Sequence, residues 1–336
     1  MLKLNKIINI YDITKSKTHI YNEERDGLIP QGKRNKQENG LYSPRNWTYN
    51  DLPILGERYG FLKSKLTKKK AICVYTPKGG VLKTTFSYNF ARITALHNIK
   101  TLIIGLDVQG SITEMFSDLS LIDQNTTSYL SDELYKDKIG LYELSENTDI
   151  DLKKIILNTD IPTLDYIPES SYLILLDQKI RDETKREFYF NILLERVKSI
   201  YDIIIFDTSP NWNFLIQNAL TFSTDLISPI SCEVNTFHSL SENIKIIERF
   251  QNRMDIKWDN FLFVPTKTQN TILNKEIETQ YRNRLKDRVT ISTLRNTVKG
   301  ENSNLHKFSV IEQEPKSMLA NDYRTLCTEI WEKIAS

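Results

Sequence analysis

Two spacings of apolar residues alternate along this chain. Short apolar runs at 71–75, 102–106, 203–206 and 261–264 stop at turn residues or acids, the pattern of strands buried on both faces of a parallel sheet. Thr163–Glu169 reads as another strand ending in a proline turn. Helical spacing fills the intervals: Phe86, Phe90, Ile93 and Leu96 share one helical face, and 181–200 predicts a charged amphipathic helix. The expected body, 71–336, is therefore α/β with a mostly parallel sheet flanked by helices. Residues 111–160 say little and are expected to be surface and dimer edge.

The first 66 residues follow another pattern. Ile7, Ile8, Ile10 and Ile13 fit a short helix, and Thr14-Lys15-Ser16 makes a turn whose serine can cap a second helix, Lys17 to Arg25. Gly27-Leu28-Ile29-Pro30 is a stop. Residues 31–44 form a polar, basic loop or hairpin, and 45–52 enter a third helix through Leu55 to Leu62, whose start Pro53 disturbs. The predicted organisation is a small module (1–66), a linker (67–70) and the α/β body (71–336). Deleting the module is expected to leave the body's own activity intact.

Composition sharpens this division. The net charge of +2 is unevenly spread: residues 1–70 hold 15 Lys/Arg against 7 Asp/Glu, and the rest hold 30 against 36. That asymmetry points to a module facing nucleic acid on an enzyme-like body. Cys73, Cys232 and Cys327 are far apart in sequence, as buried thiols of a reducing cytoplasm would be. No run approaches 18 apolar residues, so a cytoplasmic protein without a membrane segment is expected.

The candidate chemistry lies at three strand ends. After strand 71–75 come Lys78-Gly79-Gly80-Val81-Leu82-Lys83-Thr84-Thr85. A strand, a glycine turn and a helix N-terminus form an anion site, with backbone N–H groups and the helix dipole facing phosphate. Lys83 would reach the outer phosphates, and the Thr84 hydroxyl would bind Mg²⁺. The usual loop places Gly before Lys-Thr; here that position holds Leu82. The second strand ends in Asp107-Val108-Gln109-Gly110, placing Asp107 to orient Mg²⁺-bound or attacking water. The third, Ile203–Phe206, ends in Asp207, which is expected near the magnesium.

These phrases, in this order, resemble the deviant Walker A ATPases of the ParA/MinD family, and the resemblance covers about 69–336. Asp225 and Pro229 fit the family's helix–Asp–strand–Pro segment, and Glu314–Arg324 fits its closing helix. The resemblance implies a P-loop sheet, ATP and Mg²⁺, and a homodimer in which Lys78 reaches the partner's nucleotide. Catalysis then falls to Lys78, Lys83 and Asp107, metal binding to Thr84, Asp107 and Asp207, and nucleotide binding to 78–85 with Pro265 near the base.

The module resembles the winged helix-turn-helix of the MerR family, through Tyr21–Pro30 and Trp47–Leu52. That resemblance implies DNA contacts from Lys15, Lys17, Thr18, His19 and Tyr21, and wing contacts from Lys33, Arg34 and Lys36. Candidate DNA contacts on the body are Arg295, Lys299, Lys316 and Arg324. Together the two resemblances imply a nucleoid-associated, ATP-dependent switch that segregates plasmid or other replicon DNA with a ParB-type partner and represses its own operon. The alternatives are a nucleotide-binding repressor with little hydrolysis and a MinD-like membrane-positioning ATPase. Against the latter, the C-terminal stretch Cys327–Ile334 is short and not basic, which predicts a packed helix.

Overall fold

The computed structural model describes residues 1–34, 42–117, 138–296 and 308–336, without the side chains of 235, 236, 238 and 239. The N-terminal unit comprises β1 (Leu2–Lys3), α1 (Leu4–Tyr11), α2 (Lys17–Arg25), β2 (Asn46–Trp47) and α3 (Leu52–Tyr59). Ser16 caps α2 as expected, its Oγ accepting from the His19 N–H at 3.2 Å. α1 stops earlier than the isoleucine spacing predicts. Asp12 turns left-handed at φ 53°, which leaves Ile13 outside the helix. Pro53 does not disturb α3. It sits in the first turn, where a missing N–H costs nothing, and the helix ends at Tyr59, short of Leu62. β1 pairs antiparallel with β2, and Lys33 bridges Asn46. Lys36 and Lys299 lie outside the described residues.

The body continues as β3 (Lys70–Val74), α4 (Lys83–Leu96), β4 (Thr101–Leu106), α5 (Ser111–Phe116), α6 (Leu141–Glu146), α7 (Leu152–Ile155), β5 (Leu157–Asn158) and β6 (Leu164–Ile167). Next come α8 (Leu173–Arg181), α9 (Tyr189–Leu193), α10 (Glu195–Lys198), β7 (Ile203–Thr208), α11 (Phe214–Phe222), β8 (Asp225–Ser231) and α12 (Val234–Met254). β9 (Asn260–Thr268), α13 (Ile272–Leu285), β10 (Leu294–Arg295), α14 (Val310–Gln313) and α15 (Met318–Ile334) complete it. The sheet order is β10-β9-β8-β3-β7-β4-β6-β5, parallel except for the edge strand β5. From β3 the chain moves to one side through β4, and later crosses to the other through β8. This change of direction beside β3 opens a crevice at the carboxyl ends of the strands.

The single amphipathic helix expected over 181–200 is instead a 3-10 turn at 186–188 followed by α9 and α10. Asn218 of α11 breaks it: its amide accepts from the Phe190 N–H and donates to the Arg186 carbonyl, taking backbone groups a continuous helix would use itself.

The expected linker is fastened to the body. Lys70 opens β3, and its buried ammonium lies 3.0 Å from Asp259 and 3.6 Å from Asp225, while Lys68 also pairs with Asp259. The N-terminal unit shares the body's core as well. Ile10, Tyr11, Trp47 and Leu52 belong to one apolar cluster with Ile72, Phe90, Leu96 and Trp331. The Tyr11 hydroxyl lies 2.7 Å from the Leu52 carbonyl and 3.0 Å from that of Leu96, the last residue of α4. A Cβ on Gly56 would lie 1.8 Å from the Leu96 oxygen, so only glycine permits this approach.

Candidate functional site

β3, β7 and β4 are adjacent, and their register sets Val74 beside Asp207 and Gly105 beside Asp207 on the other side. Each strand is buried throughout, so the chain can leave the sheet only at its end, and there it carries the polar residues. The loop after β3 leads into α4 at Lys83. Cβ atoms built on Gly79 and Gly80 would meet nothing within 4 Å, and Gly80 has φ +70°, a conformation glycine adopts freely. Leu82 is also left-handed, at φ 67° and ψ 29°. The leucine that stands in the place of the usual glycine has therefore taken a left-handed conformation that glycine adopts freely.

Lys83 is 7% exposed, and its Nζ donates to the Lys78 carbonyl at 2.8 Å. Burial lowers its pKa, and the nearby Asp207 and Asp107 carboxylates oppose that shift. Asp207 is fully buried. Its Oδ2 accepts from the Thr84 hydroxyl at 2.7 Å, and its Oδ1 lies 2.7 Å from the Ser87 hydroxyl. Burial pushes its pKa up to about 6, against the hydrogen bonds from Ser87 and Thr84 and the charge of Lys83. Asp107 is half-buried, and its Oδ1 accepts from the Gln109 N–H at 3.1 Å, which shapes the turn to Gly110.

Lys83, Thr84, Asp107 and Asp207 thus converge as the sequence predicts. Lys78 lies half-exposed at the loop entrance, and among the described residues its ammonium makes no ion pair. Pro265, expected near a base, is buried within β9 opposite Ile230, and its neighbour Thr266 touches the loop, its hydroxyl donating to the Val81 carbonyl at 3.2 Å. Ser87 belongs to the site although no motif names it; it lies one turn after Thr84 on the same helical face. The oxygen donors Thr84 and Asp207, with open space above two glycines, suit a hard divalent cation and a phosphate chain.

The expected DNA contacts divide. Lys15, Lys17, Thr18, His19 and Arg34 are exposed, while Tyr21 is half-buried with the Arg45 guanidinium 4.3 Å from its ring centre. Lys316 is exposed. Arg295 is bound to Asp322 at 2.6 and 2.7 Å. Arg324 is not a surface charge: it is 8% exposed, and its guanidinium donates to the carbonyls of Asn9, Ile10 and Pro315, pinning α1 to the body.

A parallel sheet, a glycine loop opening a helix and a hydroxyl–aspartate pair beneath it define a P-loop nucleotide fold. The chain belongs to the AAA domain family, whose model matches residues 69–259, and within it to the ParA/Soj-type P-loop ATPases. It is similar to the sporulation initiation inhibitor protein Soj of Bacillus subtilis, at 27% identity over 263 residues that span 78% of this chain and 98% of Soj. Its fold is like that of a Borrelia burgdorferi plasmid partition protein bound to AMPPNP, with TM-score 0.58, 24% identity, and coverage of 80% of this chain and 98% of that one. The fold is equally like that of cobyrinic acid a,c-diamide synthase from Mycobacterium smegmatis with a bound ATP analogue and magnesium. There the TM-score is 0.59 at 21% identity, over 77% of this chain and 93% of that one. Among the described residues, no helix is long and apolar enough to cross a membrane.

Proposed function

We propose that this chain is a partition ATPase of the ParA type, hydrolysing ATP with Mg²⁺ as a homodimer and moving replicon DNA with a ParB-type partner. The observation that carries the reading is the meeting of Lys83, Thr84, Asp207 and Asp107 at three adjacent strand ends. Backbone N–H groups of 79–85 and the N-terminus of α4 favour a phosphate chain, and Lys83 adds a positive charge. Thr84 and Asp207 would hold Mg²⁺, and Ser87 fixes the second oxygen of Asp207. Bound ATP·Mg²⁺ supplies the phosphoryl group and the divalent charge that neutralises it. Asp107 orients the attacking water. Lys78, at the loop entrance and without an ion pair among the described residues, acts across the dimer, which makes the loop a deviant Walker A. Lys83→Ala should weaken ATP binding. Asp107→Ala should keep binding while turnover falls about 10²-fold or more. Unimpaired turnover in Asp107→Ala would remove that residue from the mechanism.

The N-terminal unit, residues 1–66, is the sequence-specific reader. α1, the Thr14–Ser16 turn and α2 make a helix-turn-helix, and the β1–β2 pairing with the Lys33 bridge forms the root of a wing. Lys15, Lys17, Thr18 and His19 lie on the exposed side that would enter the major groove. A second reading, a nucleotide-binding repressor with little hydrolysis, is favoured by the strained Leu82. Turnover measured with and without DNA and the partner separates the two. A membrane-positioning role has little support, because Cys327, Ile330, Trp331 and Ile334 of α15 are buried in the core rather than available to lipid.

A further inference from the structure

The loop bearing Asp107 is held at two ends. One end is β4, fixed in the sheet between β7 and β6. The other is the first turn of α5, and that turn is held by a side chain from another strand end. Glu169, two residues beyond β6, is fully buried. Its Oε2 accepts from the Thr113 N–H at 2.8 Å and from the Thr113 hydroxyl at 2.6 Å, and its Oε1 accepts from the Ile112 N–H at 3.3 Å. The Glu169 N–H returns a bond to the Thr113 Oγ1 at 2.9 Å. The carboxyl group fits because residue 105 is glycine: a Cβ there would lie 2.2 Å from the Glu169 carboxyl carbon. Gly105 is the β4 residue that pairs with Asp207. Glu169 therefore packs under the strand that delivers Asp107 and bonds the helix that receives the loop.

We propose that Glu169 is a positioning residue for hydrolysis: it fixes Asp107 relative to Asp207 by clamping α5 to the ends of β4 and β6. The proposal rests on the ATPase reading above. Its physical content is that a short loop with both ends fixed has few conformations left. With the α5 end released, the Asp107 carboxylate can drift, and a misplacement of about 1 Å can cost about 10²-fold in rate. The phosphate cradle belongs to β3, α4 and β7, so nucleotide affinity should not depend on this clamp.

The clamp also has a protonation state. Burial pushes the Glu169 pKa up to about 7, against the hydrogen bonds from Thr113 and Ile112, and Asp207 adds to the rise. Other titratable groups near it are Lys138 and Tyr166, both of which feel its charge. The ionised carboxylate accepts all three bonds, whereas the protonated acid must place a proton among donors. As pH falls through about 7, the clamp should loosen and turnover should decline. Other groups of the site also respond to pH, so the informative quantity is the difference between wild type and a variant that cannot titrate at 169.

The test uses the full-length chain with Glu169→Gln, which preserves shape and one acceptor, and Glu169→Ala as the larger change. Turnover and ATP affinity are measured from pH 6 to 8, with amide hydrogen exchange over 107–116. Glu169→Gln should keep ATP affinity within about 2-fold, lower kcat by roughly 10-fold or more, exchange faster at Ile112 and Thr113, and lose the part of the acid decline due to residue 169. Unchanged kcat and pH profile in Glu169→Gln would overturn the proposal. So would equal losses of affinity and kcat, which would make Glu169 a general prop of the fold. A wild-type chain without turnover under any condition would instead sink the ATPase reading, and this proposal with it.

Discussion

At the scale of single residues, Leu82 raises the sharpest question. A left-handed conformation costs a non-glycine residue roughly 1–2 kcal/mol. Replacing it with glycine returns about 0.5–1 kcal/mol of that through the looser unfolded chain, and removes a half-buried side chain as well. The two effects nearly cancel, so Leu82→Gly should change stability by less than about 1 kcal/mol. Nucleotide binding should gain, because the loop no longer has to be held in a strained form. A thermal melt and a nucleotide titration check both parts; weaker ATP binding in Leu82→Gly would mean that the leucine side chain itself serves the site. Lys78 is tested by mixing. Lys78→Gln and Lys83→Ala proteins should each be nearly inactive, yet their heterodimers should recover part of the activity, since one site then keeps Lys83 and receives Lys78 from its neighbour. Heterodimers that form and stay inactive would end the trans assignment. At this scale the sequence was legible where chemistry follows a strand end, as at Lys83, Thr84, Asp107 and Asp207. It was silent at Glu169, whose role exists only because β6 ends beside α5, and misleading at Arg324, a charge whose partners are three distant carbonyls.

At the scale of elements, α4 shows how much a helical pattern conceals. Its apolar face was readable, but nearly the whole helix is buried, including Ser87, Asn89, Arg92 and Thr94. Asn89, Arg92 and Thr94 each have a partner that no local pattern announces. Asn89 accepts from the Val310 N–H at 2.8 Å, and Thr94 shares a hydrogen bond with Thr101 at 3.0 Å. Arg92 binds Glu312 at 2.7 and 2.8 Å and Asp160 at 2.8 and 3.0 Å. The broken helix at 181–200 failed for the same reason: an amide on α11 decided it. A buried charge that loses its partner is expensive, about 3–5 kcal/mol. Arg92→Met should therefore destabilise the fold by about that amount in denaturant melts, because it leaves the buried Glu312 carboxylate with its Ser309 hydrogen bonds but without its counter-charge. Adding Glu312→Leu should restore much of the loss, since an apolar pair of similar volume is often tolerated. If the double variant is as unstable as the sum of the two single ones, the pair is not coupled as the geometry implies.

At the scale of the whole molecule, the charge asymmetry marks a basic first segment, but composition could not show how that segment is joined to the body. The expected division into a module, a linker and an ATPase treats 1–66 as removable. In the structure, Tyr11 reaches the carbonyl that ends α4, Arg324 holds the end of α1, and the Trp331 indole donates to the Ser64 carbonyl at 2.7 Å. His97, just after α4, accepts from the Phe61 N–H at 3.0 Å, and burial lowers its pKa to about 4, so it stays neutral and keeps that acceptor at ordinary pH. α4 thus begins in the phosphate loop and ends against the N-terminal unit. Removing 1–66 would bare Leu96, His97 and Trp331 and leave several backbone groups without partners, each costing about 1–3 kcal/mol. The deletion should therefore lower the melting temperature and weaken ATP binding along with operator binding. Lys17→Ala with Thr18→Ala changes only exposed side chains of α2, and should abolish operator protection while leaving the melt and ATP affinity at wild-type values. A truncated protein that melts and binds ATP like wild type would show that the shared core carries no weight and that the unit is an independent appendage. Intact operator protection in the double variant would move the DNA-reading surface away from α2.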